Sequence, residues 1–414
     1  MSPSVMADLA TADGVALRAH AGELLEQYGE LAAVSRLRQT FPAAAPELVS
    51  AAVTQAVLQR RAVGRLGGRA AGLLLTADGL AQATRPVVAD RRAERIAAAG
   101  YRHVADLGCG LGLDAQALLS AGLQVDAVEL DPVTAAAARA NLAGRHGAVV
   151  WQGDVTDPAV LAAAVRPDGV VFVDPARRDP AAPRAVDGRS ARRVMAPDRW
   201  SPPWSWVREL AASHPATVAK VAPGIDRAAA PAGAEVAWTS VDGDVVEACV
   251  WFPALAEPGV RRRAVVIDHG VAHQLTSAEA VEVPAPVGPV GPWLVEPDGA
   301  VLRAGLVAEA AATVGGRLVN SGIGYVCCDD EPVTAWGTAY RVVAPLPSQL
   351  RALRNALRQR GFGDVVVKKR GVAIVPEQVR ATLRLGGAGP TATLVFTRTP
   401  TGPLTLLVER APTP

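Results

Sequence analysis

The pattern of hydrophobic and polar positions first predicts helices. Apolar residues recur three and four positions apart, with charged residues between them. These amphipathic stretches cover residues 17–38, 46–63 and 78–100. Pro42 and Pro46 separate the first two stretches, and Gly100 is a typical C-terminal stop for the third. We therefore expect a helical N-terminal domain over residues 1–98.

After Gly100 the hydrophobic period shortens, and brief apolar runs alternate with helical segments. The runs read HVADLG, QVDAVEL, AVVWQGD, GVVFVDP and ATVAKVAP. Strands that alternate with helices predict a parallel sheet covered on both faces. Two later segments, AEVAWTSVDGDVVEACVWFP and RRAVVIDHG, predict antiparallel strands that close its edge. The fold class expected for residues 99–275 is therefore α/β, with a Rossmann-like sheet.

The remainder of the chain divides into a connection and a small module. Residues 276–298 are rich in Pro and Gly, which favours a linker. Residues 299–414 contain two helical patterns, LVAEAAATVG and LPSQLRALRNALRQRGF. They also contain three strand-like runs, DVVVKKRG, ATLVFTRT and LTLLVERA. A separate α+β module is expected there.

Composition narrows the class of protein. A chain of 414 residues, half of them hydrophobic, has material for two or three domains. The four cysteines form no CxxC pair, so we expect reduced thiols, a cytoplasmic location and no bound metal. No signal peptide or membrane-spanning run is evident. The net charge is only +2, so a nucleic-acid partner must be argued from local basic patches.

A glycine-rich motif follows the first predicted strand. In ADLGCGLGLDAQALL the spacing is Asp106-x-Gly108-x-Gly110-x-Gly112, and it opens into a helix. Glycines allow a sharp turn and close approach of a ligand, and the helix N-terminus would face that ligand. A tight turn without a ligand is the alternative.

Two further acids follow the next two strands. Glu129 ends the second strand, where a carboxylate accepts ribose hydroxyls, and Asp154 ends the third, where it accepts an adenine amino group. Dinucleotides and S-adenosylmethionine (SAM) both suit this layout. Asp106, two residues before the first glycine, suits the amino group of SAM and would repel a pyrophosphate. Solvated acids are the structural alternative, but acids and glycines at successive strand ends favour SAM.

These motifs resemble those of class I SAM-dependent methyltransferases over residues 99–270. DLGCGLG matches their first motif, VELD the second and GD the third. The resemblance implies that Asp106 holds the methionine part of SAM, Glu129 the ribose and Asp154 the adenine. It also places Leu130 and Val155 beside the adenine ring.

The stretch VFVDPARRD ends the fourth predicted strand. In the family that strand ends beside the methyl group, so Asp174, Pro175 and Arg177 are the catalytic candidates. Methyltransferases of nucleic-acid amino groups carry D/N-P-P-aromatic here, whereas this chain has Ala176 and Arg177. The departure removes the stacking aromatic, and Arg177 becomes a candidate to stack or to bind phosphate. C5-pyrimidine methyltransferases need a catalytic cysteine after the next strand, and VAKVAPGID has none.

Residues near this stretch are candidates for substrate binding. Arg178 lies in an arginine-rich loop, which favours either a phosphate-facing rim or a solvated, internally paired loop. Trp204, in RWSPPWSW, could provide a stacking surface or pack as a hydrophobic lid. Lys220, at the end of the fifth strand, is expected to extend into solvent. Gln82 and Arg85 are possible contacts of a helix that caps the cofactor.

The C-terminal module carries a concentration of basic residues. Two of the three lysines of the chain lie in VVVKKRG. The substrate-binding candidates are Arg354, Lys368, Lys369 and Arg370. A basic helix beside a basic strand end suits a phosphate backbone, and an ordinary solvated face is the alternative.

Nearly the whole chain resembles one domain arrangement. EPDGAVLRAGLV and LRNALRQRGFGDVVVKKRGVAI are similar to the THUMP-like domain that follows a methyltransferase core in actinobacterial proteins. The core is similar, more distantly, to the trimethylguanosine synthase group. The resemblance implies methylation of RNA with SAM as cofactor. The lack of a long apolar run predicts no membrane contact, and the oligomeric state stays open. A small-molecule methyltransferase and a non-catalytic RNA-binding protein are the alternatives.

Overall fold

The computed structural model describes residues 1–176 and 196–412. The chain divides into two compact units. The first consists of Met1–Ala222 with Cys249–Leu255, and the second of Pro223–Ala248 with Ala256–Pro414. The unit boundaries therefore differ from the predicted ones, because the second unit begins inside the range predicted as the methyltransferase core.

Six helices open the first unit. They are α1 (Pro3–Asp8), α2 (Ala12–Tyr28), α3 (Glu30–Thr40), α4 (Pro46–Leu66), α5 (Ala77–Gln82) and α6 (Pro86–Ala98). The first amphipathic stretch is split at Gly29, whose φ of 77° ends α2. The third is split before Pro86, which starts α6 at its first turn.

The segment that enters α5 is tied down by two amide side chains. Gln55 Nε2 donates to the Leu75 carbonyl over 2.7 Å and its Oε1 accepts from the Leu75 amide over 2.8 Å. Asn141 makes the same pair of bonds with Leu74. These four bonds fix the chain that leads into α5, which Thr84 follows.

The core of the first unit is a parallel sheet. Its strands are β1 (His103–Leu107), β2 (Gln124–Glu129), β3 (Ala148–Gln152), β4 (Val170–Val173) and β5 (Thr217–Val221), in the order β3-β2-β1-β4-β5. Its helices are α7 (Leu113–Ser120), α8 (Pro132–Leu142), α9 (Pro158–Ala164) and α10 (Trp204–Ser213). The order reverses between β1 and β4, and ligands of such sheets bind at the carboxyl ends beside that switch point.

The second unit begins with a smaller set of strands. These are β6 (Glu235–Val241), β7 (Asp244–Trp251), β8 (Arg262–Asp268) and β9 (Val271–Ser277). The end of β7 lies in the first unit. Strands β6 and β8 are parallel, whereas β8 and β9 form an antiparallel hairpin. Two short helices follow, α11 (Gly299–Ala304) and α12 (Val307–Thr313).

A seven-stranded sheet completes the second unit. Its strands are β10 (Trp293–Pro297), β11 (Arg317–Asn320), β12 (Ile323–Cys328), β13 (Gly337–Leu346), β14 (Asp364–Lys369), β15 (Thr391–Thr399) and β16 (Gly402–Arg410), in the order β11-β12-β10-β13-β16-β15-β14. Helices α13 (Leu350–Gln359) and α14 (Pro376–Leu383) accompany it. The range predicted as a linker contains β10, which pairs with β12 and β13. This strand was not predicted, because its apolar run is short and lies between prolines.

Candidate active site

The glycine-rich loop joins β1 to α7 at the switch point. The amides of Gly108 and Cys109 both donate to the Val128 carbonyl of β2, over 2.9 and 3.0 Å. Gly108 has a φ of 91°, and a Cβ on it would lie 2.9 Å from the Asp174 carbonyl oxygen. Only glycine fits both the backbone conformation and this close approach of the ends of β1 and β4.

Glu129 is held by backbone amides at the end of β2. Its Oε2 accepts from the Gly110 amide over 2.9 Å, and its Oε1 accepts from the Asp131 amide over 2.8 Å. Burial raises the pKa of Glu129, although these two amides oppose the shift. The carboxylate is therefore fixed against the glycine-rich loop, with lone pairs left for a ligand.

The residues after β2 and β3 differ in exposure. Leu130 is exposed and Val155 is buried. Asp154 is also exposed, and its Oδ1 accepts from the amide and the hydroxyl of Thr156, over 2.8 and 2.7 Å. One oxygen of Asp154 therefore stabilises the turn after β3.

Asp106, near the end of β1, is the most unusual carboxylate of the site. Its side chain is fully buried, and neither oxygen has a hydrogen-bond partner in the part of the chain that the structure describes. Burial raises the pKa of Asp106 well above its ordinary value, and the carboxylates of Asp114 and Asp174 raise it further. Such a carboxylate favours a cationic partner, which would restore its ionised form.

An ion-pair network surrounds Asp174, the residue that follows β4. Lys220 Nζ lies 2.6 Å from Asp174 Oδ2 and donates to Thr84 Oγ1 over 2.9 Å. Thr84 Oγ1 donates to Asp114 Oδ2 over 2.7 Å, and Arg92 forms an ion pair with the other Asp114 oxygen. Two carboxylates and two cationic side chains are thus linked through the Thr84 hydroxyl.

The pKa values of the two acids of this network shift in opposite directions. Burial raises the pKa of Asp174, and the Lys220 ammonium only partly offsets this. Burial also acts to raise the pKa of Asp114, but Arg92, Lys220 and the Thr84 hydroxyl outweigh it, so the net shift is downward. Asp114 is therefore the firmly ionised member, whereas Asp174 binds a proton more readily.

The structure describes only some of the residues that follow Asp174. Pro175 is buried, and Ala176 exchanges backbone hydrogen bonds with Ser201. Arg177 and Arg178 lie outside the described residues.

Trp204 does not form an open stacking surface. It is 4% exposed and contacts Trp200 edge-on at 6.5 Å and Phe252 at 6.3 Å between ring centroids. Trp204 was predicted either to offer a stacking surface or to pack as a hydrophobic lid, and its buried environment matches the packed alternative. Gln82 is exposed, and its amide donates to the Asp78 carbonyl of its own helix.

Several residues of the site were not found from sequence. The prediction that Lys220 extends into solvent is wrong, because its side chain is 11% exposed and pairs with Asp174. Thr84, Arg92 and Asp114 were not considered. Asp114 lies in the first turn of α7 and could have been noted as an acid beside the glycine-rich loop. Thr84 and Arg92 carry no such signal in the chain.

The comparisons with known proteins bear on this site. Two uncharacterized S-adenosylmethionine-dependent methyltransferases, from two strains of Mycobacterium tuberculosis, are each 36% identical to the chain over 376 residues. The alignment covers 89% of this chain and 97% of each relative. The chain belongs to the S-adenosylmethionine-dependent methyltransferases. SAM is accordingly its methyl donor, as the strand-end acids predicted.

A crystal structure supports the fold of this methyltransferase. A candidate methyltransferase from Porphyromonas gingivalis superposes with a TM-score of 0.70 at 22% identity, covering 89% of this chain and 92% of that one. The predicted α/β, Rossmann-like fold class is confirmed. The family described as THUMP domain-like matches residues 337–410, which confirms the predicted resemblance. A domain of unknown function matches residues 3–62.

Within the C-terminal module of the methyltransferase, two of the basic candidates contact backbone carbonyls. Arg354 donates to the Thr382 carbonyl, near the end of α14. Lys369 Nζ donates to the Ile374 carbonyl over 2.6 Å. Both side chains thus donate to the backbone of the module itself.

The other two basic candidates contact aromatic rings. Lys368 Nζ lies 2.6 Å from Glu296 Oε2 and 5.4 Å from the Tyr340 ring centroid. The Arg370 guanidinium lies 5.4 Å from the Tyr325 ring centroid. Because side chains alternate along a strand, Lys368 and Lys369 point to opposite faces of β14.

No helix of residues 1–176 and 196–412 is long and apolar enough to span a bilayer. One group among these residues, Asp242, Asp268 and His269, brings three potential metal-ligand atoms within 4.8 Å. It is exposed at the β6–β7 and β8–β9 turns, so it is not part of the strand-end site.

Proposed function

We propose that this methyltransferase transfers the methyl group of SAM to RNA. The transfer would take place at the carboxyl ends of β4 and β5, beside Asp174 and Lys220. The observation that carries the proposal is the clustering of Asp106, Asp114, Asp174 and Lys220 at the switch point. Glu129, whose carboxylate accepts a hydrogen bond from the glycine-rich loop, lies at the same edge of the sheet.

The donor half of the site fits SAM by its charges. SAM has an α-ammonium group, a ribose diol and an adenine, and its sulfonium supplies an electrophilic methyl group. The unpartnered carboxylate of Asp106 suits the ammonium group. The oriented carboxylate of Glu129 suits the two ribose hydroxyls, and the second oxygen of Asp154 suits the adenine amino group. Leu130 and Val155 would flank the adenine.

Asp174 and Lys220 would act on the acceptor. The acceptor atom bonds to the methyl carbon, the bond between that carbon and sulfur breaks, and the acceptor loses a proton. Asp174 would accept this proton, because its raised pKa makes it a better base than an ordinary carboxylate near neutral pH. Lys220 would keep Asp174 ionised beforehand and orient its free oxygen.

RNA is proposed as the acceptor class on the strength of the C-terminal module. The THUMP domain-like match covers most of that module, and its helix α13 carries arginines on an exposed side. One observation favours the alternative of a small-molecule acceptor. Glu296 compensates the charge of Lys368, and Arg354 and Lys369 donate to backbone carbonyls of the module, which leaves fewer of their N–H groups for a phosphate backbone.

Transfer of tritiated methyl groups tests the proposal. The purified chain with labelled SAM is incubated with RNA, DNA, protein and small-molecule fractions from cells that lack the protein. We expect label in RNA, absent with Asp174→Asn. Label in the small-molecule fraction alone would establish the alternative acceptor. SAM binding without transfer to any fraction would indicate a non-catalytic protein.

A further inference from the structure

The carboxylate of Asp174 offers one oxygen to an acceptor molecule. Its Oδ2 lies 2.6 Å from Lys220 Nζ, whereas its Oδ1 has no hydrogen-bond partner within residues 1–176 and 196–412. The side chain of Asp174 is 30% exposed, so the carboxylate is partly open to its surroundings. A group that donates a hydrogen bond to Oδ1 would therefore have the Lys220 ammonium on the other side of the same carboxylate.

Each acid at the carboxyl ends of β1 and β4 is matched with a cation of its own. Asp114 forms an ion pair with Arg92, and Asp174 forms one with Lys220. The unpartnered carboxylate of Asp106 is assigned to the ammonium group of SAM. The acceptor therefore meets a balanced ion pair at Asp174, with a base and a cation side by side.

Two classes of nitrogen in nucleobases fit this pair poorly. A ring nitrogen without a hydrogen has no proton for Asp174 to accept, and the carboxylate would repel its lone pair. An exocyclic amine becomes positively charged as it bonds to the methyl carbon, because its proton leaves afterwards. That charge would develop one carboxylate away from the Lys220 ammonium, which would repel it.

A lactam or imide N–H, such as guanine N1 or uracil N3, fits both members of the pair. Its N–H can donate to Asp174 Oδ1, and its neighbouring carbonyl oxygen takes up negative charge as the proton leaves. The Lys220 ammonium favours that negative charge. A ribose hydroxyl also becomes anionic, but it is a much weaker acid than a lactam and therefore a poorer match for a carboxylate base.

We propose that the methylated atom is the lactam or imide nitrogen of a nucleobase, and that Lys220 determines this specificity. The acceptor nitrogen gives its proton to Asp174 Oδ1 and bonds to the methyl carbon. The bond between that carbon and sulfur breaks, and its electron pair stays on sulfur, which becomes a neutral thioether. This inference rests on the proposed function, because it takes Asp174 as the base and RNA as the acceptor.

The identity of the methylated nucleoside tests the inference directly. RNA labelled by the purified chain with tritiated SAM is digested to nucleosides and separated beside synthetic standards. We expect the label in guanosine methylated at N1 or in uridine methylated at N3. Label on an exocyclic amine, on a ring nitrogen that carries no hydrogen, on carbon or on a ribose hydroxyl would overturn the inference.

The acidity of the acceptor N–H tests the role of Lys220. Synthetic RNA carries the target nucleotide or an analogue with a more acidic N–H, which is 5-fluorouridine for uridine or 8-azaguanosine for guanosine. Lys220→Met should lower the rate with the ordinary RNA at least about tenfold, and with the analogue several-fold less. Arg102→Met removes an exposed cation before β1 and should change neither rate.

A purely structural effect of Lys220→Met would lower the rates with both RNAs by the same factor. Equal losses would therefore overturn the role of Lys220. The nucleoside analysis uses the wild-type chain, so it decides the acceptor class even if Lys220→Met does not fold.

The same assays distinguish this inference from the proposed function. Label in RNA at an exocyclic amine would refute the inference alone. Label confined to the small-molecule fraction would refute RNA as the acceptor, and a methylated lactam nitrogen in that product would still support the acceptor chemistry. No transfer to any fraction would refute both.

Discussion

Lys220 Nζ lies 2.6 Å from Asp174 Oδ2, at the carboxyl ends of the neighbouring strands β5 and β4. The pair joins the candidate catalytic carboxylate to a lysine that was predicted from the sequence to extend into solvent. Thr84, between α5 and α6, and Arg92, on α6, extend the network through Asp114. The segment that precedes the sheet therefore contributes side chains to the candidate site as well as to the fold.

Replacement of the cation should shift the pH dependence of methyl transfer. Burial raises the pKa of Asp174 and Lys220 opposes this, so Lys220→Met should raise that pKa further. A carboxylate that accepts a proton works above its pKa, so the acid limb of the rate profile should move to higher pH. We expect at least a tenfold lower rate near neutral pH. Lys220→Arg should retain the wild-type profile in part. An unshifted profile in Lys220→Met would show that Asp174 does not accept the proton.

Removal of the buried charge at Asp106 should affect stability and SAM binding in opposite directions. The folded-state pKa of Asp106 is raised, so its contribution to stability is present at low pH and is lost as pH rises through that pKa. Asp106→Asn should therefore melt at a higher temperature than the wild type at neutral pH without SAM. It should also bind SAM at least about tenfold more weakly, because the ammonium loses its counter-charge. Calorimetry and thermal melting measure the two effects, and unchanged SAM affinity would contradict the assigned role.

Gly108 and Gly122 form a matched pair for testing the glycine-rich loop. Both have positive φ, 91° and 84°, so alanine is strained at either position by about 1–3 kcal/mol. A Cβ at Gly108 would also lie 2.9 Å from the Asp174 carbonyl, whereas one at Gly122 meets nothing within 4 Å. Both alanine variants should melt at lower temperature, but Gly108→Ala should also lose SAM binding. Equal SAM affinities of the two variants would exclude a special role for the contact between β1 and β4.

The Thr84 hydroxyl should matter for activity more than for folding. It bridges Lys220 and Asp114, and valine has nearly the same shape without the hydroxyl. Thr84→Val should lower the rate of methyl transfer several-fold and lower SAM affinity less, because it loosens Lys220. Thr84→Ser keeps the oxygen and should restore most of the rate. Radioactive methyl transfer and calorimetry on the two variants give the comparison, and equal rates would remove Thr84 from the mechanism.

The elements around the donor site could be predicted because their signals are local. The glycines of residues 108–112 and the acids that end β1 and β2 lie within short strand-turn-helix units, which the hydrophobic period reveals. Strand β10 was missed, because a five-residue strand between prolines has no period of its own. The split of the first amphipathic stretch at Gly29 was missed for a similar reason, since apolar positions continue on both sides of it.

The sequence by itself determined the α/β core, the methyl donor and the order of the strand-end acids, because parallel strands place their carboxyl ends at one edge whatever the loops contain. Only the tertiary structure decided which charges meet at that edge. Lys220 and Thr84 are 136 residues apart in the chain, and no local period relates them. Likewise, Lys368 of the basic run pairs with Glu296, which is 72 residues away in the chain. Pairing between side chains that are distant in the chain depends on packing in three dimensions, and it cannot be predicted from the order of the residues.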